Sequence, residues 1–393
     1  MAYTEVTSKN WFQRLGESFG GIVAGFVIIA LATWLLWWNE GRTFKTAGAI
    51  GEAELVTQDV SDISKIDPAL EGKVIHAIGR AETKEILRDP VFGVEIQAIN
   101  IEKSAEYYQW REHSHSETRK KLGGGEETVT TYTYEKEWSS SPVDSNSFKD
   151  PDYRGLNKTL ANVDENTIWA RDVTFGAYKL PEFLIHSIGG EVPMNLTSVD
   201  VNSVAKIIAA PKEYQASPDK LITVSGSTVY IGENPGSPQV GDVRVTFKYT
   251  PQAEVSIVAQ VIRDTFEQFT ASNGYSFSRL NMGKVGMAKM FEGARSENNM
   301  IAWLIRVSGV LLVVLGLRMI FKPLSVLGDV IPLLGTIIGA GMGVVAFLLG
   351  LAWSLIVIAV AWVRFRPLIA GALIVAALVL IYLSYSKGKK SEA

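Results

Sequence analysis

The sequence predicts an α+β fold: a multi-pass α-helical membrane protein with a large β-rich extracytoplasmic domain inserted between the first and second spans. Three observations lead to this prediction. A charge-free apolar run occupies residues 21–38, apolar sequence resumes at Met300 and continues almost to Ser386, and the stretch between is polar, with alternating β-branched and aromatic residues. The first run alone, about 27 Å long as a helix, is long enough to cross a bilayer.

The N-terminal part of the chain predicts an amphipathic segment over residues 1–19 and a first span over residues 20–38. Four apolar side chains of the segment recur at helical spacing: Trp11, Phe12, Leu15 and Phe19. The segment either lies on the membrane surface as a short helix or extends the first span. Tryptophans followed by charged residues end the span, as is typical of a membrane interface, and no small-residue cleavage site follows.

The C-terminal apolar block predicts three further crossings. The second span, residues 300–321, contains Arg306 about 9 Å inside its start, so this arginine needs a partner or an aqueous path. Pairing between helices or snorkelling is the plainer interpretation. The charge-free residues 330–363 would form a helix of about 51 Å, too long for one crossing. We therefore expect a break at its glycines, giving an interfacial or re-entrant segment, 323–339, and a third span, 342–363.

The last predicted span covers residues 367–386 and is followed by a basic tail, residues 387–393. Four crossings place both termini on one side of the membrane. Lysine and arginine are more numerous near that side, which predicts cytoplasmic termini and a large domain outside the cytoplasm. If residues 323–339 also cross the membrane, the C-terminus changes sides.

The domain between the spans, residues 42–299, is predicted to contain two β-rich lobes. Residues 101–117 and 128–138 read as the strands of a long hairpin, with three consecutive glycines at its tip. A second β unit covers residues 225–262. Residues 281–299 favour a helix that runs directly into the second span, which would couple the domain to the membrane helices.

The side chains of this second β unit alternate between inward-facing and outward-facing positions, on either side of a turn that we expect at Thr250 and Pro251. Two short helices are expected before it, the clearest being residues 181–188 and 198–210. These elements complete the α+β prediction for the domain.

Composition and motifs exclude several functions. The chain has no cysteine, which excludes disulfides, thiolate metal sites and cysteine nucleophiles. A net charge of -3 provides no basic excess for a nucleic-acid partner. No hydrolase, zinc-protease, phosphate-loop or dinucleotide motif is present. His113 and His115 share one face of a strand, but two ligands do not make a metal site. We predict no catalytic residue, cofactor or bound metal.

Several short stretches together carry a family resemblance. They are Arg14–Gly21; Asn39–Arg42 with Lys45, Thr46 and Ala47; Glu71, Gly72 and Val74–Gly79; Asp89, Phe92, Gly93 and Val94; Glu106, Tyr108, Gln109, Trp110 and Glu112; Trp138 and the region of Phe148; Glu233, Asn234, Pro235, Val240, Gly241, Asp242, Arg244, Val245 and Phe247; and Arg366 with Pro367. In order, spacing and span layout the sequence resembles the LUMA family, also called transmembrane protein 43, along nearly its whole length.

The resemblance implies a multi-pass protein with a large lumenal or periplasmic domain and termini that face the cytosol. It also implies oligomerisation and a role in organising membrane proteins, with no established catalytic residues. Animal members belong to the nuclear envelope and endoplasmic reticulum and have lamin and emerin as partners, which are not carried over to this chain. The lack of cysteine and the short N-terminal extension favour a bacterial relative. The expected location is a bacterial inner membrane with a periplasmic domain, or the nuclear envelope or endoplasmic reticulum in a eukaryote.

The expected function is that of a non-enzymatic membrane scaffold that forms homo-oligomers and contacts membrane lipids and other membrane proteins. The alternative is a lipid-binding membrane sensor or a lipid-directed enzyme, motivated by Arg306, residues 323–339 and the histidine pair. A channel or transporter is the weakest interpretation, because the later spans lack polar residues. The candidate interface or structural residues are Glu40, Arg42, Tyr108, Gln109, Trp110, Asp242, Arg244 and Arg306.

Overall fold

The computed structural model describes residues 3–196, 198–209 and 212–368. Its helices are α1 (Trp11–Val56), α2 (Glu182–Ile185), α3 (Val201–Ile207), α4 (Met287–Gly328) and α5 (Pro332–Phe365). Among the described residues, three helices are long and apolar enough to cross a membrane: α1, α4 and the part of α5 from Gly335. The predicted last span, residues 367–386, lies outside the described residues except for its first two, and the tail, 387–393, lies wholly outside them.

The strands are short except for the hairpin pair. In chain order they are β1 (Tyr3–Lys9), β2 (Gln58–Val60), β3 (Val74–Thr83), β4 (Ile86–Arg88), β5 (Glu95–Gln97), β6 (Asn100–Lys120), β7 (Glu126–Ser139), β8 (Asn166–Trp169), β9 (Val173–Phe175), β10 (Tyr178–Lys179), β11 (Val192–Pro193), β12 (Ile222–Ser225), β13 (Thr228–Ile231), β14 (Val243–Thr250), β15 (Ala253–Ile262), β16 (Thr265–Glu267), β17 (Phe269–Thr270), β18 (Ser276–Phe277) and β19 (Arg279–Met282). The predicted hairpin is therefore present as β6 and β7.

Two large sheets form most of the domain, and β4 with β5 and β17 with β18 form two small ones. The first large sheet has the order β1-β7-β6-β14-β13-β12, and β8 pairs with β6 and β11 with β14. The second has the order β10-β9-β3-β15-β16, and β2 pairs with β3 and β19 with β15. All pairs are antiparallel except β2 with β3. The inner faces of both sheets contribute to one hydrophobic core, for example Val245 and Phe247 from the first and Ala77 and Ile257 from the second. The two predicted lobes thus share a core.

The turn that we expected at Thr250 and Pro251 lies between the two sheets. β14, before it, pairs with β6 and β13, whereas β15, after it, pairs with β3. The sequence left this pairing open, because alternation along a strand identifies its inward face but not its partner. Asn100 marks the switch, since its Oδ1 accepts a hydrogen bond from the Thr250 amide at 3.1 Å.

The N-terminal segment, residues 1–19, divides into a strand and the start of α1. Tyr3–Lys9 pairs antiparallel with β7. Asn10 then caps α1: its side chain accepts a hydrogen bond from the Gln13 amide, and the Gln13 side chain accepts one from the Asn10 amide. From Trp11 the helix is continuous with the first span, which is the second of the two alternatives that the sequence left open.

Small residues bring the membrane helices close together. The backbones of Gly25 and Gly316 meet, because a Cβ on Gly25 would lie 2.6 Å from the Gly316 carbonyl oxygen. Gly309 faces Leu36, which is fully buried. On the other side of α4, Gly350 of α5 lies against Val314. Such contacts replace the hydrophobic driving force that helices lack in lipid.

The structure shows no break at the glycines of residues 335–343, where the sequence predicted one. Within segment 323–339, α4 continues through Pro323 to Gly328, a turn follows, and α5 then runs unbroken from Pro332 to Phe365. The glycines do not bend the helix as expected. Gly339 instead allows α5 to lie close to α4, at Ser325. Close packing of α5 on α4 therefore explains these glycines better than local unwinding.

A polar ribbon runs beside the membrane helices. We use this name for β1, β7 and the part of β6 from Tyr108 to Lys120. At one end the domain packs on Ile50 and Ala53 of α1. At the other end the ribbon tip touches the start of α1, where Arg14 Nη1 donates to the Gly124 carbonyl at 2.5 Å. The predicted extracytoplasmic domain, 42–299, is thus not confined to one end of the helices.

Candidate functional site

Glu40 and Arg306 form an ion pair that joins all three long helices. Both carboxylate oxygens of Glu40 are used: Oε1 accepts from Arg306 Nε at 2.6 Å, and Oε2 accepts from Arg306 Nη2 at 2.8 Å and from Trp362 Nε1 at 2.8 Å. Glu40 is 1% exposed. We call these three residues the three-helix junction. The partner that Arg306 required is therefore Glu40, another of the predicted candidates.

Polar side chains continue the junction along α1 and α4. Asn39 Nδ2 donates to the Ala302 carbonyl at 3.1 Å, Asn298 Nδ2 donates to the Thr43 carbonyl at 3.0 Å, and Arg42 Nη1 donates to Asn298 Oδ1 at 3.3 Å. In the part of the chain that the structure describes, the buried atoms Asn39 Oδ1 and Arg42 Nε have no hydrogen-bond partner. Because such groups are costly when unsatisfied, these two could bind water or a partner's polar group.

The other candidates lie far from the junction, at the root of the ribbon. The Arg244 guanidinium carbon lies 4.3 Å from the centre of the Trp138 ring, and Arg244 Nε donates to Glu106 at 2.5 Å. Tyr108 also packs on this indole, with ring centres 5.2 Å apart. A cation over an indole, anchored by a carboxylate, fixes the angle at which the ribbon leaves the domain.

Gln109 and Trp110 hold the chain that crosses the root. Gln109 is 1% exposed; its Nε2 donates to the Lys158 carbonyl at 3.1 Å and its Oε1 accepts from the Val143 amide at 2.7 Å. The Trp110 amide donates to Asn157 Oδ1 at 2.9 Å. Both polar atoms of the buried Gln109 side chain, Nε2 and Oε1, thus form hydrogen bonds to backbone groups, so the role of Gln109 is structural.

Asp242 anchors the neighbouring loop. Its carboxylate accepts a hydrogen bond from the Tyr230 hydroxyl and one from the Gln239 amide at 2.8 Å, and its carbonyl accepts from the Tyr108 amide at 2.9 Å. Burial, and next the hydrogen bond to Asp242, raise the pKa of Tyr230 above its ordinary value. The phenol therefore stays protonated as a donor and is not a catalytic base near neutral pH.

A set of charges that the sequence analysis did not single out fastens the ribbon tip. Asp329, in the turn between α4 and α5, accepts from Arg14 Nη2 and from Lys120 Nζ, each at 2.6 Å, and Arg14 Nε lies 3.1 Å from Glu126. We call these four residues the tip clasp. Asp329 is 1% exposed. The sequence offered one signal for Asp329, because it is the lone acidic residue between Met300 and Val363.

The histidine pair does not form a metal centre in this structure. His113 Nε2 lies 3.2 Å from Glu137, and His115 Nε2 lies 4.0 Å from Glu117. Across residues 3–196, 198–209 and 212–368, no group of three or more His, Asp and Glu side chains is placed to hold a metal ion. The structure thus brings the candidates together in two groups, at the junction and at the root, which both connect elements and hold no reactive constellation.

Comparison with known proteins identifies one family and several relatives. The family model described as Transmembrane protein 43 matches residues 107–367. The chain is similar to Transmembrane protein 43 of Rattus norvegicus, with 28% identity and coverage of 98% of this chain and 95% of the relative. It is also similar to the Homo sapiens protein of that name, at 27% identity, 95% of this chain and 91% of the relative, and to the Drosophila melanogaster homologue, at 24% identity and 90% of each. No solved structure matches.

Proposed function

The chain belongs to the transmembrane protein 43 family and is a multi-pass membrane protein, and we propose that it is a non-enzymatic scaffold that assembles with copies of itself. In this proposal it organises other membrane proteins or the envelope around that assembly. The names of the relatives above are those of transmembrane proteins and not of enzymes. One observation carries the proposal: the exposed polar surface of the ribbon beside apolar helices.

The ribbon spans the depth of the membrane helices. Its β6 edge, from Tyr108 to Lys120, is about 43 Å long at 3.3 Å per residue. The segment of α1 from Arg14 to Glu40 is about 39 Å long at 1.5 Å per residue. The tip clasp joins the ribbon to the Arg14 end of this segment, and the domain from which the ribbon emerges packs on the other end of α1. The ribbon therefore accompanies α1 through the full thickness of a bilayer.

The surface of the ribbon is unsuited to lipid. Every side chain of β1 is exposed, and so is every side chain of β6 from His113 to Lys120. Among the described residues, β1 pairs only with β7, and β6 pairs beyond Tyr107 only with β7, so both edges have unpaired backbone groups. Open edges and charged side chains do not face hydrocarbon, because each unsatisfied group costs several kcal/mol there.

A second copy can cover this surface. If the β1 edge of one copy meets the β6 edge of the next, the backbone groups pair and the charged faces point away from lipid. Repetition of this head-to-tail contact closes into a ring when the rotation between copies allows it. The apolar outer faces of the helices, such as Phe26, Leu311 and Leu355, then remain for lipid.

The test uses the absence of cysteine from the chain. Thr7→Cys on β1 and His115→Cys on β6 are combined, and membranes are oxidised before electrophoresis. The two positions are separated by β7, about 9–10 Å across, so they cannot form a disulfide within one chain. We expect a ladder of covalent oligomers from the double variant and at most dimers from each single variant.

The matched control pairs Thr7→Cys with Glu267→Cys, an exposed position on β16 in the domain. It should give no ladder, because β16 is remote from the ribbon edge. Absence of a ladder from the Thr7 and His115 pair, or equal ladders from both pairs, would remove the ribbon as the contact between copies.

The alternative, a lipid-binding sensor or lipid-directed enzyme, has less support from the residues that first suggested it. Arg306 is paired with Glu40, whose carboxylate also accepts a hydrogen bond from Trp362, and each histidine of the pair lies beside a carboxylate. For location we propose a bacterial inner membrane, with the bulk of the domain periplasmic and the ribbon reaching towards the cytoplasmic side. The nuclear envelope or endoplasmic reticulum is the corresponding proposal for a eukaryotic source.

A further inference from the structure

A cavity of about 520 Å³ lies between α4, α5 and the ribbon tip, on the side of the helices that carries the tip clasp. Its polar lining includes Lys120 from β6 and Arg318 and Lys322 from α4. Arg318 and Lys322 are four residues apart and therefore project from one face of the helix. We call this space the basic cavity. It holds three cations and, among its lining residues, no acidic side chain.

Two of the three cations are available for a ligand. Lys120 already donates to Asp329 in the tip clasp. Within the described residues, neither Arg318 nor Lys322 forms an ion pair or a hydrogen bond, and both are exposed. Exposed cations near a span end can snorkel to any headgroup. Here, however, they line one open cavity together with a third cation, which a snorkelling residue does not require.

The shape of the cavity comes from glycine. Gly339 and Gly343 of α5 line it, and the Arg318 Nη2 atom lies 3.9 Å from the position that a Cβ on Gly343 would occupy. A larger side chain at residue 343 would therefore crowd the guanidinium. The lining also includes the apolar side chains of Met319, Phe321 and Met342. A cavity lined by both cations and apolar side chains matches an amphiphile better than a free ion.

From this arrangement we propose that the basic cavity binds the phosphodiester headgroup of an anionic phospholipid, with Arg318 and Lys322 as its principal contacts. A guanidinium presents paired donors that match phosphate oxygens, and a lysine adds a mobile charge. Basic pockets between helices at a headgroup surface are suited to such lipids. The acyl chains continue along the apolar wall formed by α4 and α5. This inference uses none of the ribbon contacts between copies, so it can fail while the scaffold proposal stands.

The test compares retained lipids by native mass spectrometry of the purified full chain. Protein in mild detergent is supplied with equal amounts of phosphatidylglycerol and phosphatidylcholine. We expect preferential retention of phosphatidylglycerol by the unaltered chain. In Arg318→Gln/Lys322→Gln this preference should fall by about 30-fold, since each surface cation contributes roughly fivefold to binding an anionic lipid. The matched control is Arg364→Gln, an exposed arginine at the opposite end of α5, which should keep the preference.

Further arms make the outcomes distinct. The conservative variant Arg318→Lys/Lys322→Arg should retain the lipid, which separates loss of charge from misfolding. Inorganic phosphate at millimolar concentration should not displace the lipid; displacement would show a small-anion site and overturn the lipid assignment. Equal retention of both lipids by the unaltered chain, or an unchanged preference in the double glutamine variant, would overturn the proposal as a whole.

Discussion

Removal of the Glu40 carboxylate should destabilise the helix bundle far more than removal of an exposed acid. In Glu40→Leu the Arg306 guanidinium stays buried between helices without a counterion, and Trp362 Nε1 loses its acceptor. The Glu40 side chain is 1% exposed and that of Arg306 is 13% exposed, so solvent screening is weak. Breaking one partner of a buried pair costs about 3–5 kcal/mol.

The complementary change should restore much of this loss. Arg306→Met alone leaves the Glu40 carboxylate with only the Trp362 donor and should cost a similar amount. In the double variant Glu40→Leu/Arg306→Met no charge is left buried, and replacement of a buried pair by apolar residues is often neutral. In a double-mutant cycle we expect a coupling free energy of at least about 2 kcal/mol between Glu40 and Arg306.

The assay is unfolding of the purified chain in mild detergent, followed by tryptophan fluorescence as the proportion of sodium dodecyl sulfate rises. The control is Glu297→Gln, which removes an exposed pair with Arg279 and should cost less than about 1 kcal/mol. Additive losses in the double variant, or a Glu40→Leu variant as stable as the control, would refute the assignment of this pair as the link between the three helices.

Three further predictions concern the tip, the helix contact and pH. Asp329→Asn should release the ribbon tip at a cost of about 3 kcal/mol, and amide exchange at residues 120–126 should quicken about 100-fold. Gly316→Leu should cost about 1–3 kcal/mol in detergent unfolding, because its Cβ would lie 2.8 Å from the Gly25 carbonyl oxygen. Burial, and next the hydrogen bond to Asp242, raise the pKa of Tyr230, which lies outside the ribbon, above its ordinary value of 10.0. Because the unfolded phenol ionises first, stability should decline as the pH rises above about 10, and less so in Tyr230→Phe.

Each of these has a distinct contrary result. Unchanged exchange at the tip in Asp329→Asn would mean that the clasp does not hold the ribbon. Gly20→Ala, with nothing within 4 Å of its Cβ, is the control for Gly316→Leu and should leave stability equal or higher; equal losses in both would contradict close α1–α4 contact. The same alkaline decline with and without the Tyr230 hydroxyl would show that another group causes it.

Hydropathy and alternation predicted most of the elements, because burial and lipid exposure are encoded locally. The apolar runs gave the long helices, and the aromatic alternation on either side of the triple glycine gave the β6–β7 hairpin. Arg306 was recognised as needing a partner, and Glu40 was selected separately by family resemblance. Nothing in the sequence alone joined them, since the two residues lie on helices that are far apart in the chain.

Pairing between distant segments was the part that the sequence could not supply. β1 pairs with β7, but exposed polar strands such as Tyr3–Lys9 lack the apolar face that makes a strand recognisable. Asp329 reads as an ordinary turn residue until the ribbon tip is placed against it. The expected break at the α5 glycines failed for a related reason: a glycine in a membrane helix permits either a bend or a close neighbour, and only the neighbour distinguishes them.

Copies of this chain should assemble so that the polar ribbon is withdrawn from lipid. Mass photometry of the protein in lipid nanodiscs, measured against empty nanodiscs, tests this. With 43.0 kDa per copy, we predict one discrete protein mass that is twice this value or a higher whole multiple of it. A particle that holds a single 43.0 kDa chain at all protein concentrations in lipid would contradict the claim.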